Sequence, residues 1–187
     1  MKKLLVSFAL FSLFSIPVFA QDVPLAEVFG GYQLLHDVGA TEEGIRGSNY
    51  HGFTAAFEGK IASFAGIVAE FGFNDHSEEN GFADSWKKFS LLFGPRITAY
   101  RGEEFQVFGH FLFGGIRSSI TDAENTESEW RLGYALGGGI DIVLNKTISV
   151  RLAQLDLISE HASADKWTPW SNHFRYSGGV VFKFGSK

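Results

Sequence analysis

The feature that most constrains this chain is a two-residue period sustained almost from end to end. In the closing YSGGVVFKFGSK, apolar residues or glycine occupy every second position from Phe174 to Phe184, with Arg175, Ser177 and Lys183 between them. Such alternation puts successive side chains on opposite faces of a strand. Eight stretches behave this way: Ala26–His36, Tyr50–Lys60, Ser63–Asn74, Trp86–Arg101, Glu104–Ser119, Trp130–Leu144, Ile148–Ser159 and His173–Phe184, each 11 to 16 residues long. A tilted strand needs about 9 to 11 residues to cross hydrocarbon. The connections alternate too. Those at 37–49, 75–85, 120–129 and 160–172 are long and polar, and those at 61–62, 102–103 and 145–147 are tight turns. That rhythm predicts an all-β, eight-stranded antiparallel up-and-down barrel with its turns at one end and its long loops at the other.

Parity sorts the side chains into two faces. Strand three sets Ala65, Ile67, Ala69, Phe71 and Phe73 against Gly66, Val68, Glu70 and Gly72, and strand six sets Leu132, Tyr134, Leu136 and Ile140 against Arg131, Gly133, Gly137 and Asp141. One face is apolar; the other is small and sparsely charged. A soluble lipocalin-like barrel would expose the second face, yet a solvated surface carries about a quarter or more of charged residues. Small residues beside isolated charges suit a crowded lumen instead, so the apolar face is expected in lipid. Parity then places Glu27, Glu58, Glu70, Arg96, Arg131, Asp141, Arg175 and Lys183 inside, with His110 a further candidate. Confined charges must be paired, so the expected lumen is a salt-bridged plug, with a gated path for small solutes as the alternative.

Residues 1–20, MKKLLVSFALFSLFSIPVFA, are expected to be a signal peptide: Lys2 and Lys3 precede an apolar run, Pro17 breaks it, and Val18 and Ala20 flank a cleavage site. The barrel would then occupy 21–187, exported to the cell outer membrane. Loss of those two lysines takes the formal charge from −5 to −7, which disfavours nucleic acid as a partner. The chain has no cysteine, hence neither disulfides nor a lipidated N-terminal cysteine.

Trp86 and Trp130 open strands four and six, and Trp167 and Trp170 sit in the last long loop, so all four are expected in an aromatic girdle at the long-loop rim. Phe105, Phe184 and Tyr100 would serve the opposite rim. Pro95 inside strand four predicts a bulge or bend at Gly94–Pro95. In strand seven Arg151 and the pair Gln154 and Asp156 have opposite parity, so either a bulge re-registers the strand or one of these groups faces lipid near a rim.

The opening AEVFGGYQLL, the FGPR at Phe93–Arg96, the LGGGIDI at Leu136–Ile142 and the closing GGVVFKF together resemble the bacterial outer-membrane β-barrel domain family of small OmpA-like and OmpX-like proteins. The resemblance covers Val23 to Phe184. It implies a non-enzymatic membrane protein, monomeric, in contact with outer-membrane lipid and lipopolysaccharide. The last strand also resembles the signal read by the outer-membrane barrel assembly machinery, carried by Ser177, Gly179, Phe182 and Phe184, although the chain runs on to Lys187.

Other chemistry is thinner. The long loops are acidic, with Glu42, Glu43, Glu78, Glu79 and Glu124 among them, but show no spaced calcium motif. A lipopolysaccharide-modifying enzyme would need a serine activated by histidine and an acid. The candidates are His161 and Ser163 near Glu160, and Ser171 with His173. Neither set has a recognisable deacylase pattern, and the scattered histidines support no metal site. No catalytic residue and no cofactor is therefore expected.

Overall fold

The computed structural model describes residues 23–38, 49–77, 85–121, 126–162 and 171–186. Residues 1–20, expected to be a signal peptide, together with Trp167, Trp170, Ser163 and most of the acidic loop residues lie outside them. Eight strands are present: β1 (Pro24–Asp37), β2 (Asn49–Ala62), β3 (Ala65–Ser77), β4 (Ser85–Arg101), β5 (Phe105–Thr121), β6 (Thr126–Val143), β7 (Ile148–Ala162) and β8 (Ser171–Ser186). Each pairs antiparallel with its sequence neighbours. The sheet closes where β1 meets β8, from Pro24↔Ser186 to Asp37↔His173. Closure removes both free edges, as a sheet surrounded by hydrocarbon requires.

The alternation becomes an inside and an outside. Phe57, Phe113, Leu136 and Phe182 are 54%, 43%, 58% and 44% exposed on the outer face, whereas Glu27, Glu58, Arg96, Asp141 and Arg175 are buried within. Tight turns join the strands at one end. Asn145 shapes one of them, its side-chain oxygen accepting from the backbone N–H groups of Thr147 and Ile148, both at 2.8 Å.

Three local expectations change. Strand six begins at Thr126, not at Trp130, so Trp130 sits within the strand and the fifth connection is shorter than the polar composition of 120–129 suggested. The bulge expected at Gly94–Pro95 is absent. Phe93↔Phe113 and Arg96↔His110 keep one register across it, and the shift in β4 lies between Thr98 and Tyr100. Proline removes a ladder donor without adding a residue. Gly94 also lets the strands close up, since a Cβ there would fall 2.1 Å from the Phe111 carbonyl oxygen. In β7, by contrast, the register slips between Arg151 and Gln154, and Arg151, Gln154 and Asp156 are all buried. Of the two alternatives for that strand, the bulge is the one realised.

Candidate functional site: the lumen and its rims

The lumen is built in layers. At the turn end Arg96 lies 2.9 Å from Glu58, 3.2 Å from Asp141 and 3.8 Å from Glu27, while Lys60 lies 2.6 Å from Glu58 and 3.4 Å from Glu27. Arg151 donates from Nε to Asp141 at 2.8 Å. Two inward-facing aromatics separate these cations. The Arg96 guanidinium stacks 3.5 Å from the Phe108 ring centre, and that of Arg151 lies 4.2 Å from Phe29 and 4.4 Å from Phe108. Cation–π contact of this kind is stronger where water is excluded.

A second layer crosses the barrel. Arg175 Nη2 is 2.5 Å from Glu70 and 2.6 Å from Asp156, and Asp156 also holds His110 at 2.7 Å and accepts from Gln154 at 2.9 Å. Above it lies an apolar layer of Leu35, Tyr50, Leu92, Leu112, Ile116, Ala135 and Ile158. This apolar layer differs from the small, sparsely charged interior that parity suggested.

Near the long-loop end a third polar group forms. Lys88 Nζ stands 2.9 Å from Glu160 and 2.9 Å from His173 Nε2, which is itself 3.0 Å from Glu160. Arg131 reaches the same carboxylate at 3.7 Å and Glu129 at 2.9 Å, with its side chain 28% exposed. Glu160 and His173, which belong to two different serine–histidine candidates, thus meet each other, on a histidine nitrogen shared with Lys88. His161 follows on the other parity of β7, opposite Leu132.

Of the residues proposed for the lumen, Glu27, Glu58, Glu70, Arg96, Asp141, Arg175 and His110 lie deep inside, and Arg131 stands toward the long-loop mouth. Lys183 lies on the lumen face opposite Glu27 and is half-buried. Sequence reasoning missed Lys60, Lys88, Gln106 and the aromatics Phe29 and Phe108 as lumen residues, left Arg151 and Gln154 between two placements, and assigned Glu160 to a loop. Strict parity marks Phe108 and Lys88, since each shares the phase of an assigned lumen residue on its strand. Arg151 is hidden by the bulge.

At the rims, Trp130 is 55% exposed and meets Phe89 edge-on at 6.2 Å. Trp86 pairs in backbone register with His76 and Ile120. At the turn end Tyr100 and Phe105 stack 4.9 Å apart, both outward, and Phe184 on β8 is exposed at the same rim. In β8, Ser177 is buried, Gly179 approaches Gly30 too closely for a Cβ, and Phe182 and Phe184 face outward.

Two cavities in the lumen, lined by the turn-end charges and by the Lys88–Glu160 group, measure ≈ 10 and ≈ 20 Å³. Each has room for about one water molecule.

No family model and no curated protein matches the sequence. Solved structures do match the fold. The chain is similar to Ail, the attachment invasion locus protein of Yersinia pestis, at 14% identity over 87% of this chain and 99% of that one, with a TM-score of 0.61. It is similar to Neisserial surface protein A (NspA) at 8% identity, 85% and 97% coverage and a TM-score of 0.67. OprG of Pseudomonas aeruginosa matches at 13% identity, 88% and 97% coverage and a TM-score of 0.51. The lipid-matched outer face, the filled polar lumen and these likenesses agree: the chain has the fold of the eight-stranded outer-membrane β-barrels.

Proposed function

We propose that the protein is an integral outer-membrane barrel whose role is structural or interactive at the cell surface, without catalysis. The observation that carries this reading is the filled lumen: paired charges, stacked aromatics and an apolar layer occupy it, and the two cavities between them are water-sized. A barrel filled in this way offers its outer face and its loops to partners rather than a passage. The turn end, which holds both strand termini, faces the periplasm in this reading, and the acidic loops meet lipopolysaccharide and whatever the cell touches. The names of Ail and NspA, an attachment protein and a surface protein, support it by analogy of fold alone. Assembly by the outer-membrane barrel machinery, read from the β8 signal, belongs to the same proposal.

Detergent extraction followed by gel electrophoresis with and without boiling tests the membrane assignment. The expected result is a detergent-dependent protein whose band shifts on heating; recovery as a soluble periplasmic monomer refutes it. The second reading, a small-solute pore, is favoured only by the cluster of lumen charges at the turn end. Steady conductance in planar bilayers that changes in Arg96→Ala would replace the first reading with this one.

A further inference from the structure

The outer wall regains charge near its long-loop end. Of the lysines and arginines in the described strands, Lys87 and Arg117 alone are exposed. Arg96, Arg151 and Arg175 are buried in the lumen, and Lys60 and Lys88 are held there by Glu58 and Glu160. The ladder sets the two exposed cations side by side. Lys87, Ser119 and Ser128 share one outward rung across β4, β5 and β6, and Phe89, Arg117 and Trp130 share the next. Lys87 and Arg117 are thus diagonal neighbours, about 7–8 Å apart, close enough for two long side chains to reach one group.

The rung below is apolar, formed by Leu91, Gly115 and Leu132. Trp130 leans over it: a Cβ on Gly115 would fall 3.0 Å from Trp130 Cζ3. The wall therefore passes from hydrocarbon to polar surface at the Arg117 rung, the depth at which an amphipathic indole belongs. Arg117 donates from Nη2 to Ser128 Oγ at 3.0 Å, and neither cation is in an ion pair among the described residues. Two acids stand near. Asp75 lies opposite Lys87 on the β3 side, half-buried, and no ion pair joins them, while Glu129 engages Arg131 at the lumen mouth. Two cations against Asp75 leave this part of the outer wall positive.

Cations at the boundary of the hydrocarbon attract anionic headgroups, and a guanidinium presents a planar fork of donors to phosphate oxygens. Ser119 and Ser128 add hydroxyls on the same wall, and the apolar rungs beneath accept acyl chains. We propose that the outward patch of Lys87 and Arg117, with Ser119, Ser128 and Trp130, seats the phosphorylated sugar headgroup of a lipopolysaccharide molecule. The occupant is chosen on charge, on the hydroxyls that suit a sugar, and on the leaflet. The seat rests on the reading given above, in which the long-loop end faces the cell exterior, and it deepens that reading by naming the residues that hold the lipid.

The test titrates the folded full barrel in neutral detergent, read by native mass spectrometry, with three lipids: sugar-truncated lipopolysaccharide, the same lipid after enzymatic removal of its phosphates, and phosphatidylglycerol. Saturable binding of the phosphorylated lipopolysaccharide is expected, weakened roughly fivefold by Lys87→Gln and by Arg117→Gln, and further by both together. The dephosphorylated lipid should bind weakly and respond to neither substitution. Lys146→Gln, which alters an exposed cation in the tight turn at the other end, is expected to leave binding unchanged. Unchanged binding in the double variant, or an equal loss in Lys146→Gln, overturns the seat. Phosphatidylglycerol held as tightly, with the same sensitivity, overturns lipopolysaccharide as its occupant. Heat-dependent gel mobility separates the two levels of failure. A barrel with the heat-shifted band that binds none of the lipids overturns the seat and leaves the membrane reading standing, whereas a protein that needs no detergent and shows no shift overturns both.

Discussion

Arg175 on β8 reaches across the barrel to Glu70 on β3, Nη2 to Oε1 at 2.5 Å, while the same nitrogen holds Asp156 on adjacent β7 at 2.6 Å. One guanidinium thus ties opposite walls together, and all three residues are buried. Removing a single member of a buried ion group costs about 3–5 kcal/mol because its partners stay charged in a dry site. Arg175→Ala is therefore expected to lower unfolding stability by about that amount. Urea titration of the micelle-refolded barrel, followed by tryptophan fluorescence, measures it; a loss below about 1 kcal/mol would show that water screens the cluster.

Two glycines should respond differently to the same methyl group. At Gly137 a Cβ would fall 2.0 Å from Asp156 Oδ1 and 2.3 Å from the Leu155 carbonyl oxygen, whereas at Gly30 nothing lies within 4 Å. Gly137→Ala is expected to cost about 1–3 kcal/mol, the range of an overpacked core. Gly30→Ala should be near neutral. Equal effects in paired urea titrations would count against the close approach of β6 and β7.

Depth in the membrane should be readable from arginine substitutions on the outer face. Phe113, central in β5 and packed 4.2 Å from Phe93, stands where hydrocarbon is expected, and Leu144 lies beside a turn. Phe113→Arg is predicted to cost about 2–4 kcal/mol and Leu144→Arg about 0–1 kcal/mol. Refolding into lipid vesicles at a series of urea concentrations gives both values, and the reverse order would invert the assigned faces.

The β7 bulge makes a sharper prediction. Deleting Ala153 would remove the extra residue and set Arg151 and Gln154 two positions apart, so that plain alternation keeps both inside without a bulge. The deletion is expected to preserve the heat-shifted folded band, as is Leu152→Ala, an exposed side chain. Loss of the folded band in the deletion variant alone would mean that the bulge itself is required.

The barrel was legible because lipid and lumen impose opposite demands on neighbouring residues. Phe71 and Gly72, or Leu136 and Gly137, could hardly exchange faces without exposing polar groups to hydrocarbon. Parity therefore reached Glu70, Arg96, Asp141 and Arg175, each flanked by apolar neighbours. It faltered where the period slips. Arg151 reads as misphased until the bulge restores it, and Pro95 draws attention to a bulge that does not form there. What parity does not encode is which lumen residues meet, because Arg175 and Glu70 are brought together by closure and strand tilt. The apolar layer at Leu92 and Leu112 escaped for a related reason, since leucines are legal on either face.

Pro24 stands opposite Ser186, so the start of the first strand and the end of the last share a rung of one ladder. The consequence is temporal. Until the last strand emerges, β1 has a partner on only one side, and no fraction of the chain offers the membrane a surface without open hydrogen-bonding groups. A nascent barrel of this topology has no half-finished state that lipid will accept, and its final dozen residues decide when the whole is ready to enter.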